Sequence, residues 1–168
     1  MSKAFTREDD TSDQPVLPAL VSPLPPGAKN YLTAGGAERL RAELGRLVEG
    51  ERPRLVAAAV GDAEAKRELA QLDQRIRYLQ QSLATAEIVP STDGPLEQVR
   101  FGATVTVRDG KGVESVYRIV GVDEADFARN EVSWLSPIAR ALMNARLGQR
   151  VPFKFPSGAT ELEIVRIG

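Results

Sequence analysis

Two helix-period stretches, residues 33–60 and 62–87, are separated only by the turn Val60-Gly61-Asp62. In the second stretch Leu69, Leu72, Ile76, Leu79, Leu83 and Ala86 recur with a 3-4-3-4-3 spacing, which is one coiled-coil seam. A turn this short forces the two helices to fold back antiparallel. Thr33 is placed to cap the first helix, and Leu40, Leu44, Leu47, Val48, Leu55 and Ala58 form its inner face. Pro53 lies inside that helix, lacks an N–H and crowds the carbonyl four residues back, so it predicts a kink or loosened turn near Arg52.

From Val99 onward the period changes to two. Ala103 to Val107, the turn Asp109-Gly110-Lys111-Gly112 and Val113 to Val122 read as a hairpin. Glu131 to Leu135, Val151 to Phe155 and Thr160 to Ile167 are further strands, and Pro137 to Arg146 reads as a short helix with proline in its first turn. The expected fold class is α+β: an antiparallel helical hairpin followed by a small antiparallel sheet unit with one short helix. Residues 1–29 hold five of the eleven prolines and no helical or strand period, which reads as a disordered arm. The hairpin is expected over 30–89, a Pro/Ser/Gly-containing linker over 90–98, and the C-terminal unit over 99–168.

Composition narrows the chemistry. Cysteine and histidine are absent, which removes disulfides, thiolate sites, the commonest general base and the commonest metal ligand. No apolar run approaches ~18 residues and the first residues are charged, so neither a membrane span nor a signal peptide is expected, and the reading is a cytoplasmic protein. Charge is balanced at 22 basic against 23 acidic residues, and the hairpin and the C-terminal unit are each neutral. Autonomous nucleic-acid binding needs an excess of Lys and Arg, so it is disfavoured.

The residues also carry a resemblance. Tyr31-Leu32-Thr33, Gly36, Leu40, Glu43-Leu44, Leu47 and Glu51-Arg52-Pro53 in the first helix resemble the bacterial GreA/GreB transcript-cleavage factors. So do Leu72-Asp73, Arg75-Ile76-Arg77-Tyr78-Leu79 and Ile88-Val89 in the second helix and its exit. Phe101-Gly102-Ala103, Tyr117-Arg118-Ile119-Val120-Gly121 and Ser136-Pro137-Ile138-Ala139-Arg140-Ala141-Leu142 extend the similarity to the end of the chain. The opening Met1-Ser2-Lys3-Ala4-Phe5 is GreB-like.

This resemblance implies a coiled-coil N-terminal domain and an FKBP-like C-terminal domain that docks at the rim of the secondary channel of RNA polymerase. Ser136, Pro137, Ile138, Ala139 and Arg140 would belong to the docking contact. The same residues also have a structural reading, with Pro137 starting a helix and Ala141 and Leu142 facing the core. Two positions depart from the family pattern: Leu135 and Gln149 stand where the family commonly has aspartates.

The family tip carries a Gly-Asp-x-Ser-Glu-Asn type motif whose acidic pair helps hold Mg²⁺ and the attacking water in the polymerase active site. This chain reads Gly61-Asp62-Ala63-Glu64-Ala65-Lys66. Measured from Pro53 to Arg77-Tyr78-Leu79, the hairpin is about a dozen residues shorter than the family pattern, roughly 9 Å of reach over two arms. A carboxylate ligates Mg²⁺ at about 2 Å, so rotamers cannot absorb that deficit. Asp62 and Glu64 are the tip carboxylates and the candidate catalytic or Mg-sharing residues. The other reading has Asp62 capping the second helix and Glu64 complementing its positive end.

The expected function is therefore a monomeric accessory factor, not itself an enzyme. It binds RNA polymerase, has at most indirect contact with nascent RNA, and carries no cofactor of its own beyond Mg²⁺ shared with the polymerase. A shortened finger implies weak or no stimulation of transcript cleavage. Rival readings are a fully active cleavage factor, a nucleoside diphosphate kinase regulator like the short-hairpin relatives, and a prolyl isomerase built on the C-terminal domain. The isomerase fits poorly, since Phe101, Tyr117, Phe127, Trp134, Phe153 and Phe155 fall mostly on core positions of alternating strands with no evident proline pocket.

Overall fold

The structure is a computed structural model that describes residues 17–92 and 94–168. The first part of the proline-rich arm, residues 1–16, lies outside the described residues. Residues 17–29 form no strand or helix and run along the second arm of the hairpin, where the Gln74 side-chain amide donates to the Pro18 carbonyl.

Strand β1 (Asn30–Thr33) leads into α1 (Ala34–Gly45), a π-helical turn (Arg46–Glu51) and α2 (Arg52–Ala58). Thr33 caps α1 as its sequence position predicts, accepting from the Gly36 N–H at 3.0 Å. The loosened turn at Pro53 is the π-turn, in which the Arg52 N–H reaches back to the Leu47 carbonyl. Widening the helix there removes the clash between the Pro53 ring and the preceding turn. The extra residue also rotates everything beyond it. Ala59, not Ala58, is buried at the far end of the face, while Val48 points outward at 40% exposure.

Helix α3 (Ala63–Thr85) returns antiparallel and is about 34 Å long at ~1.5 Å per residue. Leu72, Ile76 and Leu79 of the expected seam are buried against Leu40 and Leu47, with Leu44, Leu55 and Leu83 half-buried around them. Bidentate pairs tie the arms together: Arg75 to Glu43 at 2.9 and 3.1 Å, and Arg52 to Asp73 at 2.7 and 3.4 Å. The helix ends at Thr85, two residues earlier than its period predicts. Ala86–Val89 is instead strand β2, paired parallel with β1 from Asn30↔Ala86 to Thr33↔Val89. β-branched Ile88 and Val89 followed by Pro90 disfavour the helix, and β1 supplies the partner that makes a strand worthwhile.

The C-terminal unit is a five-stranded sheet of β3 (Thr104–Arg108), β4 (Glu114–Val120), β5 (Glu131–Ser133), β6 (Arg150–Phe155) and β7 (Gly158–Ile167), in the order β5-β4-β3-β7-β6. It is antiparallel except at one edge, where β5 runs parallel to β4. The β3–β4 turn is built by Asp109, whose side chain accepts from the Lys111 and Val113 N–H groups, with Gly112 at φ +82°. Helix α4 (Pro137–Leu142) covers the core made by Val105, Val107, Ile119, Ile164 and Leu142. It stops four residues short of the predicted Arg146. Asn144 adopts φ +66°, and residues 144–145 bond to Val99 instead, through Asn144 N–H to the Val99 carbonyl and Val99 N–H to the Ala145 carbonyl.

Candidate functional site

Three places can carry function: the hairpin tip, the surface around α4, and the joint between hairpin and sheet. The tip follows from its local sequence. Gly61 takes φ +86°, a conformation glycine enters without strain, and reverses the chain. Asp62 then caps α3, its Oδ1 accepting from the Glu64 N–H at 2.9 Å and the Ala65 N–H at 3.4 Å. Glu64 lies exposed in the first turn, where a negative charge suits the helix dipole. Beside them Val60 is 85% exposed, so the extreme end of the finger is apolar as much as acidic.

Around α4, Ser136 caps the helix through its Oγ, which accepts from the Ala139 N–H at 3.3 Å. Pro137 and Arg140 are exposed, Ile138 packs partly on the core, and Ala139 is fully buried within it. Of the five residues singled out by sequence, Pro137 and Arg140 form the solvent face, while Ala139 seats the helix from below. Leu135, half-buried, stands next to Ser136 without a charge to offer.

The joint is where sequence reasoning missed most. Glu124, in the loop after β4, has its side chain only 1% exposed. Its carboxylate accepts from the Thr33 N–H at 2.9 Å, the Gly121 N–H at 2.8 Å and the Thr33 hydroxyl. It sits at the N-terminal end of α1, where the helix dipole favours an anion. Asp123 beside it reaches the other arm, accepting from the Tyr78 hydroxyl and the Ser82 hydroxyl of α3. Glu131 on β5 is equally enclosed and faces Arg39 at 3.2 Å, Arg118 at 3.6 Å and Arg129 at 3.6 Å. Tyr31 adds an apolar pad, lying 5.8 Å from Phe101 and 5.4 Å from Trp134 between ring centroids.

Two glycines make room for this arrangement. A Cβ at Gly36 would fall 1.7 Å from Glu124 Oε1, and one at Gly121 would fall 2.2 Å from the Tyr31 carbonyl oxygen. Neither position has a positive φ, so close approach and not turn geometry demands glycine there. A glycine in the first turn of a helix, with no turn to make, was the available signal.

Burial, then the hydrogen bond and charge of Asp123, push the Tyr78 hydroxyl up to about 12 from its ordinary value of 10.0. A folded-state value above the unfolded one means the native protein holds the proton longer. The contribution is fully present below pH 10 and is lost as pH rises towards 12. Urea unfolding measured across that range should show falling stability, and Tyr78→Phe should flatten the fall. An undiminished fall in the variant would remove Tyr78 as its source.

The described parts match known sequences at both ends. A profile for the N-terminal domain of transcription elongation factors matches residues 30–88, and one for the GreA/GreB C-terminal domain matches residues 94–168. The transcription elongation factor GreB of Neisseria meningitidis serogroup A is 41% identical over 152 residues, covering 83% of this chain and 93% of its own length. The chain belongs to the GreA/GreB family of transcription elongation factors.

Other GreA/GreB relatives agree. GreB of Pseudomonas aeruginosa is 37% identical over 148 residues (81% of this chain, 88% of the relative), and GreA of Legionella pneumophila strain Lens is 40% identical over 154 residues (83% and 96%). Transcript-cleavage factors of the GreA/GreB type are expected to share Mg²⁺ at the tip, so the fit of this tip matters. Mg²⁺ demands a near-octahedral shell of oxygens. Asp62 and Glu64 are two exposed carboxylates, one with an oxygen committed to capping, and among the described residues no group of three or more His, Cys, Asp or Glu could hold a metal. The tip does not fit a resident ion. Among the described residues no helix is long and apolar enough to cross a membrane.

Proposed function

We propose that this GreA/GreB-family chain is an RNA polymerase-binding regulator of elongation whose finger enters the secondary channel but stimulates transcript cleavage weakly or not at all. The observation that carries this reading is the tip: a short turn in which Asp62 serves as a helix cap and the remaining end is Glu64 and an exposed Val60. Alignment with a relative supports missing positions within the matched stretch. For the Neisseria GreB, 83% of 168 residues is about 139, against 152 aligned positions, so about 13 positions of the relative have no counterpart here.

In this reading the chain is a monomeric, cytoplasmic accessory factor, and any RNA cleavage is the polymerase's own reaction. Mg²⁺ at the channel end would be held by the polymerase, with Asp62 or Glu64 adding at most an outlying ligand. Docking is assigned to the exposed side of α4, with Pro137 and Arg140 as contacts and Ser136 and Ala139 fixing the helix. A Pro137→Asp/Arg140→Glu double variant should weaken binding to core polymerase about tenfold or more, which is ~1.4 kcal/mol. Its affinity is measured by fluorescence titration of the full-length chain. Unchanged affinity would move the docking surface elsewhere, and no binding by the parent chain would remove the proposal.

A further inference from the structure

We propose that Glu124 is the positioning residue that sets the direction of the hairpin relative to the C-terminal unit, and so where the tip points once the chain is docked. The first half stands on the joint alone. The second rests on the docking reading above.

Of the covalent connection between the units, residues 90–92 and 94–96 form no helix or strand and include Pro90, Gly94 and Pro95, before Glu97 to Val99 bond to the C-terminal unit. On such a connector the finger is a lever of about 34 Å, and a tilt of about 15° at its base moves its tip by about 9 Å. That equals the reach lost by shortening the arms. Aim therefore matters as much as length.

The contacts across the joint differ in how well they resist tilting. The aromatic pad around Tyr31 is apolar and non-directional, so it tolerates sliding. Asp123 holds α3 through the hydroxyls of Tyr78 and Ser82, which ride on rotatable side chains. Glu124 is different, because it joins main chain to main chain. One oxygen, Oε2, accepts both the Thr33 N–H of the hairpin and the Gly121 N–H of the sheet unit. The other, Oε1, takes the Thr33 hydroxyl, and Arg39 lies 3.9 Å from it. Gly36 and Gly121 close over the carboxylate so tightly that a Cβ at either would enter its space. Burial to 1% exposure removes water as a substitute partner. The residue thus has one geometry, and that geometry fixes two backbones.

The chain has no cysteine, so paired spin labels at Ala63→Cys on the tip and Lys154→Cys on β6 can be placed without background. Their distance distribution should be narrow in the parent chain. Glu124→Gln keeps the side-chain shape but turns an amide donor towards one of the donors it must meet, and should broaden or shift the distribution by several ångströms, up to about 9 Å. Gly36→Ala, which displaces the carboxylate while leaving it charged, should act in the same direction. Circular dichroism at the same temperature checks that both variants are folded. A purely structural role would lower the unfolding midpoint and leave the distances of the folded chain unchanged, and that result would overturn the proposal.

On core polymerase, Glu124→Gln should bind with the parent's affinity yet lose the parent's effect on elongation. Parallel loss of affinity and effect would mean that Glu124 serves the docking surface, and would overturn the second half. Absence of binding by the parent chain would instead sink the docking reading, with the label distances still deciding whether Glu124 sets the hairpin direction.

Discussion

Gly121→Ala is expected to lower the thermal midpoint by roughly 6–10 °C, corresponding to about 2–3 kcal/mol for a chain of this size. The new methyl would lie 2.2 Å from the Tyr31 carbonyl oxygen, 2.8 Å from Glu124 Oε2 and 2.9 Å from Leu32 Cδ2. Tyr31 and Leu32 belong to β1, which is held by its pairing with β2, and Leu32 is fully buried. Backbone there cannot retreat without opening the joint. Gly36→Ala makes the informative contrast. Its methyl would come closer, 1.7 Å from Oε1, 2.1 Å from Cδ and 2.5 Å from Cγ of Glu124, but what it displaces is one side chain and its hydrogen bonds, not the backbone of β1. Helix propensity also returns up to about 1 kcal/mol at an α1 position. The variant with the shorter contact should therefore be the milder of the two in stability, by differential scanning calorimetry. A larger loss in Gly36→Ala would show that the Glu124 hydrogen bonds outweigh the backbone packing of β1.

The parts of this fold that were legible in the sequence are those set by local periodicity and local caps. The seam Leu72-Ile76-Leu79, the Thr33 and Asp62 caps, the Gly61 reversal and the Asp109 turn all depend on residues within a few positions of each other. Pro53 announced a disturbance, but not that a π-turn would shift the buried position from Ala58 to Ala59, because one inserted residue rotates the face by a whole step. The β1–β2 pair was hidden since its parallel register joins residues 56 positions apart, as in Asn30↔Ala86. The joint was hidden for a stronger reason. Asp123, Glu124 and Glu131 look like solvated loop and edge charges in a neutral chain, and only folding brings Thr33, Tyr78 and Arg39 to them. At α4 the helix start was legible from Pro137, while the buried place of Ala139 came from packing against the sheet.

Saturating amounts of this chain are expected to accelerate RNA release from a backtracked polymerase complex at least about a hundredfold less than a full-length GreB relative, a barrier difference of ~2.7 kcal/mol. Positioned metal and carboxylate charge is worth several kcal/mol in phosphodiester hydrolysis, and it acts only at ligand distance. Asp62→Ala should not change the residual rate and should cost only the α3 cap, about 1 kcal/mol. The positive arm of the experiment lengthens the finger. Inserting one heptad in each arm adds about 10 Å and keeps the Leu72-Ile76-Leu79 face in phase. Length alone should recover little, because the end would still present Val60 and a capping Asp62. Length combined with an added acidic pair in the turn should recover most of the stimulation. Each change without the other separates reach from chemistry. Robust cleavage with the parent chain, abolished in Asp62→Ala, would instead show that the polymerase or a bent finger closes the gap and that the cap carboxylate turns towards the metal.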